Sequence, residues 1–493
     1  MIRRRITPAF VIFAVLVPCC LCSARAAPLW PQLLACCLPC LSVAFVLMRV
    51  ETSRHARAGM LVFSLGVGLF LGSVSLARIS TAARAEFVPV ALAEVSEFRG
   101  TAGADSSLSR EGQTILHVVL RGVSSARHGL SAQARGRVLV IVPGDYRFFQ
   151  GALLSFHAPL SALDSPGADR LVARVERKDV RLLGFSSPPW SVRAQAREWV
   201  HRAVSRAGYP ASALLEALLV GGREDVPDRL RDGFQRTGSL HILALSGLHV
   251  VVIFGVVSLL FSFVSRRGLR FALAAAVLVF YQLLAGLMPS LLRATVMILA
   301  GGAASFMDRD REPLNLLCIS GIVILLGDPF QAFSLSFQLS YLALAGILAI
   351  GPLVQRPLEG SIPRFILLPL AMSIGAQVAT LPLVVARFGV YYPSGLLAGL
   401  ILVPLTTAFL WAGLAWLPLY LVPWQALHDL CARVFSLLYD LIDGSAHAFG
   451  AFPGLVVLPQ AVPWAVGISV IAMLLLGFAL PARLFARPRW NVQ

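Results

Sequence analysis

The chain has 493 residues, of which 57% are hydrophobic and only 14% charged, with a formal net charge of +17. Soluble globular domains are about a quarter charged, and apolar runs of about 18 residues or more mark membrane spans, so a soluble enzyme is excluded. The positive balance is almost wholly arginine, Lys178 being the one lysine, and the positive-inside rule assigns much of it to cytoplasmic loops.

The chain opens on a basic MIRRR before an apolar run, and Leu29–Met48 and Met60–Ala77 follow as further apolar stretches. That succession predicts three N-terminal transmembrane helices within residues 1–78 rather than a cleaved secretory signal. Six of the eight cysteines (Cys19, Cys20, Cys22, Cys36, Cys37 and Cys40) fall in the first two of these stretches, and Cys318 and Cys431 lie far downstream. Cys37 and Cys40 form a CxxC with no second pair at zinc-ribbon spacing, so the set reads as small buried hydrophobes.

Residues 79–185 change character. Short Val- and Leu-rich runs such as QTILHVVLRGV and GRVLVIV alternate with Gly, Asp, Ser and Pro. They predict a small antiparallel β-barrel on the extracytoplasmic side. Its arginines include Arg121, Arg127, Arg135, Arg137, Arg170, Arg174 and Arg177, largely offset by acids. Residues 186–236 follow as linker and amphipathic helices. Helical spacing sets Val192, Ala196, Trp199, Val200 and Val204 on one face and Arg193, Arg197, Arg202 and Arg206 on the other, a pattern suited to the membrane interface.

Residues 237–482 read as a transmembrane core with spans near 241–264, 271–287, 289–306, 313–327, 331–354, 365–386, 394–422 and 456–480. The 394–422 segment is too long for one span at about 1.5 Å per residue and is expected as a hairpin broken near Trp411. A basic tail, 483–493, is expected in the cytoplasm. The fold class is thus a polytopic α-helical membrane protein of about 10–12 transmembrane helices with an inserted β-domain.

Polar groups inside such spans cost on the order of 2.5–3.5 kcal/mol each when charged, so they line cavities or pair. His241, Ser246, Gly247 and His249 stand at the start of one span, with His241 and His249 about 80° apart on a continuous helix. Ser290 and Arg293 follow Pro289; Asp328 precedes Pro329; Gln338 and Ser340 share a later helix; Gln377 and Arg387 flank Pro382. Two histidines without a carboxylate or cysteine fall short of a metal site. Ser246 and His249 lack an orienting acid and the G-x-S-x-G elbow of a hydrolase. A role in opening the backbone is more economical: Gly247 permits a break, and Ser246 and His249 can satisfy the freed groups or touch a ligand.

The blocks ALLVGGREDVPDRLRDGFQRTGSLHILALSGLHV, MPSLLRATVMI, LGDPFQAFSLSFQLSYLALAGI and AQVATLPLVVARFG resemble, in order and spacing, the bacterial ComEC-type competence DNA-translocation channels. The resemblance implies passage of single-stranded DNA across the inner membrane during natural transformation, and an OB-like fold for the β-domain. It carries over Gly238, His241, Ser246, Gly247, His249, Ser290, Arg293, Asp328, Gln338, Ser340, Gln377 and Pro382. It also implies a DNA receptor and a cytoplasmic ATPase or helicase as partners; there is no P-loop. Two departures stand out. No H-x-H-x-D-H motif of the family's nuclease-like domain occurs, so strand removal is expected of a separate nuclease. Gly399 replaces an asparagine frequent in the family. No enzyme activity and no cofactor are expected, and self-assembly is left open. The rival expectation is a carrier of another anionic solute.

Overall fold

A computed structural model describes residues 95–456, apart from 110–111, 126–129, 135, 163–170, 224, 287 and 310, together with helical pieces at 12–14, 16–17, 64–65, 67–72 and 74–75. The expected span 29–48, residues 457–480 of the expected span 456–480, the six N-terminal cysteines, Arg127, Arg135, Arg170 and the basic tail lie outside the described residues.

The first strands are β1 (Glu97–Ala102), β2 (Ser107–Leu108), β3 (Gln113–Ser125), β4 (Leu130–Gln133) and β5 (Arg137–Pro143). They are followed by β6 (Ala152–His157), β7 (Ser161–Ala162), β8 (Leu171–Arg174) and β9 (Val180–Phe185). Side chains alternate along β3 and β5, so Leu116, Val118, Leu120, Val138, Val140 and Val142 are buried on one face, as the two-residue period of a strand requires. Phe98 and Phe156 stack in the centre of this core at 4.9 Å between ring centroids. Each such buried side chain is worth roughly 1.5–3 kcal/mol.

The hydrogen-bonded order is β7-β8-β5-β3-β1-β6-β9, with β2 and β4 on β3. Two features correct the expected antiparallel barrel. The β5–β8 pair is parallel, because the chain visits β6 and β7 before returning beside β5. The path is also open at β7 and β9, so the barrel is not closed among the described residues. A 3-10 turn at Arg177–Asp179 leads from β8 into β9, so one stretch of chain passes from one side of the open path to the other.

Helix α1 (Pro188–Ser205) starts with two prolines, residues that suit a helix's first turn. It keeps part of the expected amphipathic pattern, with Val200 and Val204 buried and Arg202 and Arg206 exposed, and reverses it nearer the N-terminus. Arg193 and Arg197 are 2% and 8% exposed, whereas Val192 is 52% exposed. Burial of guanidinium groups requires a paired anion, and the β-domain supplies it in Asp105, described below.

Then come α2 (Ala211–Val220), α3 (Asp228–Arg236), α4 (Leu240–Leu243), α5 (Gly247–Leu260), α6 (Arg267–Ala285), α7 (Pro289–Phe306) and α8 (Pro313–Gly327). A 3-10 turn, Pro329–Phe333, leads to α9 (Leu335–Ala349), α10 (Gly351–Leu358), α11 (Arg364–Phe388), α12 (Gly395–Leu419) and α13 (Gln425–Gly450). Among the described residues five helical segments are long and apolar enough to cross a membrane: α6, α7, α9 with α10, α11 and α12. Helices α2, α5 and α8 are apolar but shorter.

Two expected spans are corrected. The 241–264 segment is split, with residues 244–246 extended between α4 and α5. The 394–422 segment is not a hairpin: α12 runs unbroken through Trp411. No proline lies between Pro404 and Pro418, and Gly413 provides close packing against Leu215 of α2 rather than a turn. Its 25 residues extend about 37 Å, a length that tilt accommodates in a hydrocarbon layer of about 30 Å. Helix α13 was not expected from the sequence. It packs antiparallel to α12, with Phe409 on Phe435 and Trp416 on His428. The N-terminal piece around Phe13 and Leu16 packs on α8 and α9, Phe13 stacking on Tyr341 at 5.6 Å.

Candidate functional site

The break between α4 and α5 is made by its own sequence. Ser246 is the N-cap of α5, and its Oγ accepts the Leu248 N–H at 3.3 Å. His249 completes a capping box in the place where glutamate or glutamine is usual. Its Nδ1 accepts the Ser246 N–H at 3.1 Å and lies 3.0 Å from Ser246 Oγ. A ring nitrogen that accepts an amide hydrogen is unprotonated, so a neutral His249 carries its proton on Nε2. The nitrogen beside Ser246 Oγ is thus Nδ1, already taken by the amide, whereas the base of a Ser-His-Asp hydrolase is Nε2. The hydroxyl–imidazole pair therefore reads as a helix start, in line with the backbone-opening expectation.

The carbonyl freed upstream has its own partner. Ser290, in the first turn of α7, donates from Oγ to the Leu245 carbonyl at 2.8 Å. One turn further on, Arg293 reaches between helices, and its Nη1 donates to the Ser340 carbonyl of α9. Gly247 makes room for it: a Cβ there would sit 3.0 Å from Arg293 Nη2 and 3.3 Å from the Ala294 Cβ. The Arg293 Nε is buried with no hydrogen-bond partner. Among the described residues no carboxylate pairs with Arg293. Three helices, α5, α7 and α9, thus converge on one uncompensated guanidinium.

Other predicted residues are placed nearby or apart. Asp328 caps the 3-10 turn, accepting from Phe330 N at 3.1 Å and from Gln331 Nε2 at 2.9 Å. Gln338 closes the same turn by donating to the Ala332 carbonyl at 2.8 Å. Both fix the entry of α9 and hence the Ser340 carbonyl. Gln377 forms a separate polar point: its Oε1 accepts from Tyr391 at 2.9 Å, and its amide lies 4.0 Å from the Cβ position of Gly395. Pro382 is buried within α11. Gly238 adopts a φ of +66° and packs near Tyr392. His241 is exposed in α4, and the continuous helix assumed for its convergence with His249 is interrupted between them. Arg387 is exposed in the last turn of α11, where a cation suits the helix terminus.

Sequence reasoning missed the Leu245 carbonyl, the Tyr391 contact and the seam under the β-domain. In that seam Asp105 takes Arg193 and Arg197, and Arg147 takes Glu216 and Asp225. Backbone acceptors carry no residue signature, and long-range charge pairs carry none without a fold. On the outer face of β3 and β5, His117, Val119, Arg121 and Arg137 are exposed, with Val119 directly opposite Arg137. Among the described residues no cluster of His, Cys, Asp and Glu could hold a metal ion.

A model of the competence protein family matches residues 218–484, more than half of the chain and all of the convergent site. The chain belongs to the competence protein family. Within its relatives, this competence protein is 29% identical over 201 residues to ComE operon protein 3 of Bacillus subtilis (strain 168), covering 40% of this chain and 25% of that one. It is 31% identical over 195 residues to an uncharacterized protein of Aquifex aeolicus (strain VF5), covering 39% and 44%. It is 25% identical over 210 residues to the uncharacterized protein YcaI of Escherichia coli (strain K12), covering 40% and 28%. The competence-family chain therefore spans less than half the length of these relatives. No solved structure matches it.

Proposed function

We propose that this competence-family protein is an inner-membrane channel component through which single-stranded DNA enters the cytoplasm during natural transformation. The observation that carries this reading is Arg293, a guanidinium at the junction of α5, α7 and α9 with a buried, unpartnered Nε and no carboxylate pairing with it among the described residues. A strand of phosphates needs fixed positive charge that no acid already neutralises. Ser246, His249 and Ser290 hold the backbone open beside it, while His241, Gln377 and Arg387 supply polar groups further along the path. Asp328, Gln338 and Ser340 position the facing wall.

The β-domain suits the receiving side. Exposed Arg121 and Arg137, with Val119 and His117 beside them on the same face, offer cationic and apolar contacts to a strand without base readout. The β-domain is tied through Arg193 of α1 to the Leu283 carbonyl, at the C-terminal end of α6. Arg266, Arg267 and Arg270 stand at the opposite end of that helix, with Arg309 and Arg311 beyond α7. By the positive-inside rule this distribution supports an extracytoplasmic β-domain. Uptake in this reading relies on a DNA receptor, a cytoplasmic ATPase or helicase and a separate nuclease, and the chain itself does no covalent chemistry.

The test is uptake of labelled DNA by intact cells carrying Arg293→Ala at normal membrane abundance. The expected result is loss of uptake to about 10% or less of the unaltered level, on the scale of losing a charged contact of about 1.5–3 kcal/mol. Undiminished uptake would remove Arg293 from the path. Cells lacking the gene that still import DNA normally would point instead to a carrier of another anionic solute.

A further inference from the structure

Arg193 bonds two parts of the molecule at once. Its Nη1 and Nη2 donate to Asp105 Oδ1 and Oδ2 at 2.7 and 2.6 Å, and its Nε donates to the Leu283 carbonyl at 2.6 Å. Arg197 adds a donor to Asp105 Oδ2 at 2.5 Å, and the Gln150 N–H adds another to Oδ1 at 2.8 Å. Burial works against charge on Asp105, but the Arg193 hydrogen bonds and the two cations outweigh it and hold the carboxyl below the usual aspartate range. Asp105 belongs to the turn between β1 and β2, and Leu283 to the last turn of α6.

From Leu283 the chain leads straight into the convergent site. Gly286 takes a φ of +106°, which suits glycine, and its Cβ position faces Arg193 Nη2 at 3.8 Å. Pro289 starts α7, Ser290 bonds the Leu245 carbonyl at the α4–α5 break, and Arg293 follows one turn later. Across the same seam Arg147 bonds Glu216 Oε1 at 3.0 Å and Asp225 Oδ2 at 2.5 Å. A bidentate arginine–carboxylate pair fixes a plane as well as a distance. Arg193–Asp105 is such a pair; Arg147, with one bond to each of two carboxylates, is a second attachment set apart from it, and the two together fix an orientation.

We propose that Arg193 is a positioning residue that registers the β-domain on the α6–α7 turn and thereby sets the geometry of the Ser290–Arg293 throat. Its purpose rests on the DNA-channel reading, since register matters only if a strand passes from one part to the other; its geometry does not. A strand held on the β-domain would then meet the throat at a constant angle, and a β-domain free to swivel would not deliver it.

The experiment uses the full chain in native membranes with Leu248→Cys as reporter, an exposed position in the first turn of α5. Its rate of labelling by a membrane-impermeant maleimide, above that of the parent without this cysteine, is compared with Asp105 intact and with Asp105→Asn. Arg193→Lys serves as a second variant that keeps the charge and loses the fork, in case Asp105→Asn lowers abundance. The expected result is a change of about threefold or more in labelling in both, the size of a coupling passed between neighbouring elements. Binding of single-stranded DNA to the purified protein should be retained while uptake falls by about tenfold. Unchanged labelling in Arg193→Lys overturns the positioning role, and so does full uptake alongside altered labelling. If unaltered cells import no DNA, the channel reading falls, while the labelling comparison still decides whether Arg193 sets the throat.

Discussion

His249 poses a question that two substitutions separate: whether the imidazole touches a passing strand or only starts a helix. In His249→Ala the Ser246 N–H loses its acceptor at 3.1 Å, and the neighbouring Ser246 Oγ, which accepts from Leu248 N, loses the ring that orients it. Each lost or loosened hydrogen bond costs about 0.5–1.5 kcal/mol, so the substitution should remove about 1–2 kcal/mol of stability, in the range of a lost N-cap. In His249→Gln the amide oxygen can accept the same N–H, as in an ordinary capping box. The expected outcome is a lowered melting temperature in detergent and reduced DNA uptake for His249→Ala, with both largely restored in His249→Gln. If His249→Gln melts like the unaltered protein yet imports no DNA, the imidazole acts on the strand itself. That result would refute the assignment of His249 as a cap alone.

Four further outcomes can be measured. Because the folded-state carboxyl of Asp105 titrates below its unfolded value, its contribution is present above about pH 4 and lost as pH falls through the folded value. Melting of Asp105→Asn should therefore lie below the unaltered protein by a constant margin at neutral pH, a margin that narrows only in strong acid; a margin that widens on acidification would contradict the pairing. Gly346→Leu should prevent folding, since even a Cβ there would fall 2.2 Å from the Gly375 carbonyl oxygen where α9 crosses α11; normal abundance with a monodisperse elution profile would show that the helices can part. Removing Arg121 and Arg137 together should weaken single-stranded DNA binding and flatten its log–log salt dependence by about 1.4, two contacts at about 0.7 each; an unchanged slope would take DNA off that face. Arg293→Ala, set out above, completes the set.

The membrane character, the β-domain and most helix boundaries were legible because they rest on local pattern. Pro289–Phe306 and Pro313–Gly327 fall where the apolar runs and their leading prolines set them. What failed were inferences that needed a partner. Arg193 and Arg197 of α1 were assigned to the polar face because a helical wheel knows hydropathy and not Asp105, which lies 88 residues away from Arg193. Helix α13 escaped because Asp429, Arg433, Asp440 and Asp443 interrupt its apolar run, although packing on α12 stabilises it. The convergent site was half legible. Residue types marked Ser246, His249, Ser290 and Arg293, while the acceptors that organise them, the Leu245 and Ser340 carbonyls, are invisible in any list of side chains.

The histidine in the capping box has an electrical consequence. A helix begins with unpaired amides and an effective charge of about +0.5 at its N-terminus. The usual box residue, glutamate, would cancel part of that charge. A neutral imidazole at His249 leaves it standing, and Gly247 holds this helix end within reach of the Arg293 guanidinium. Two positive poles thus face each other across one glycine, and each becomes more comfortable when an anion comes between them.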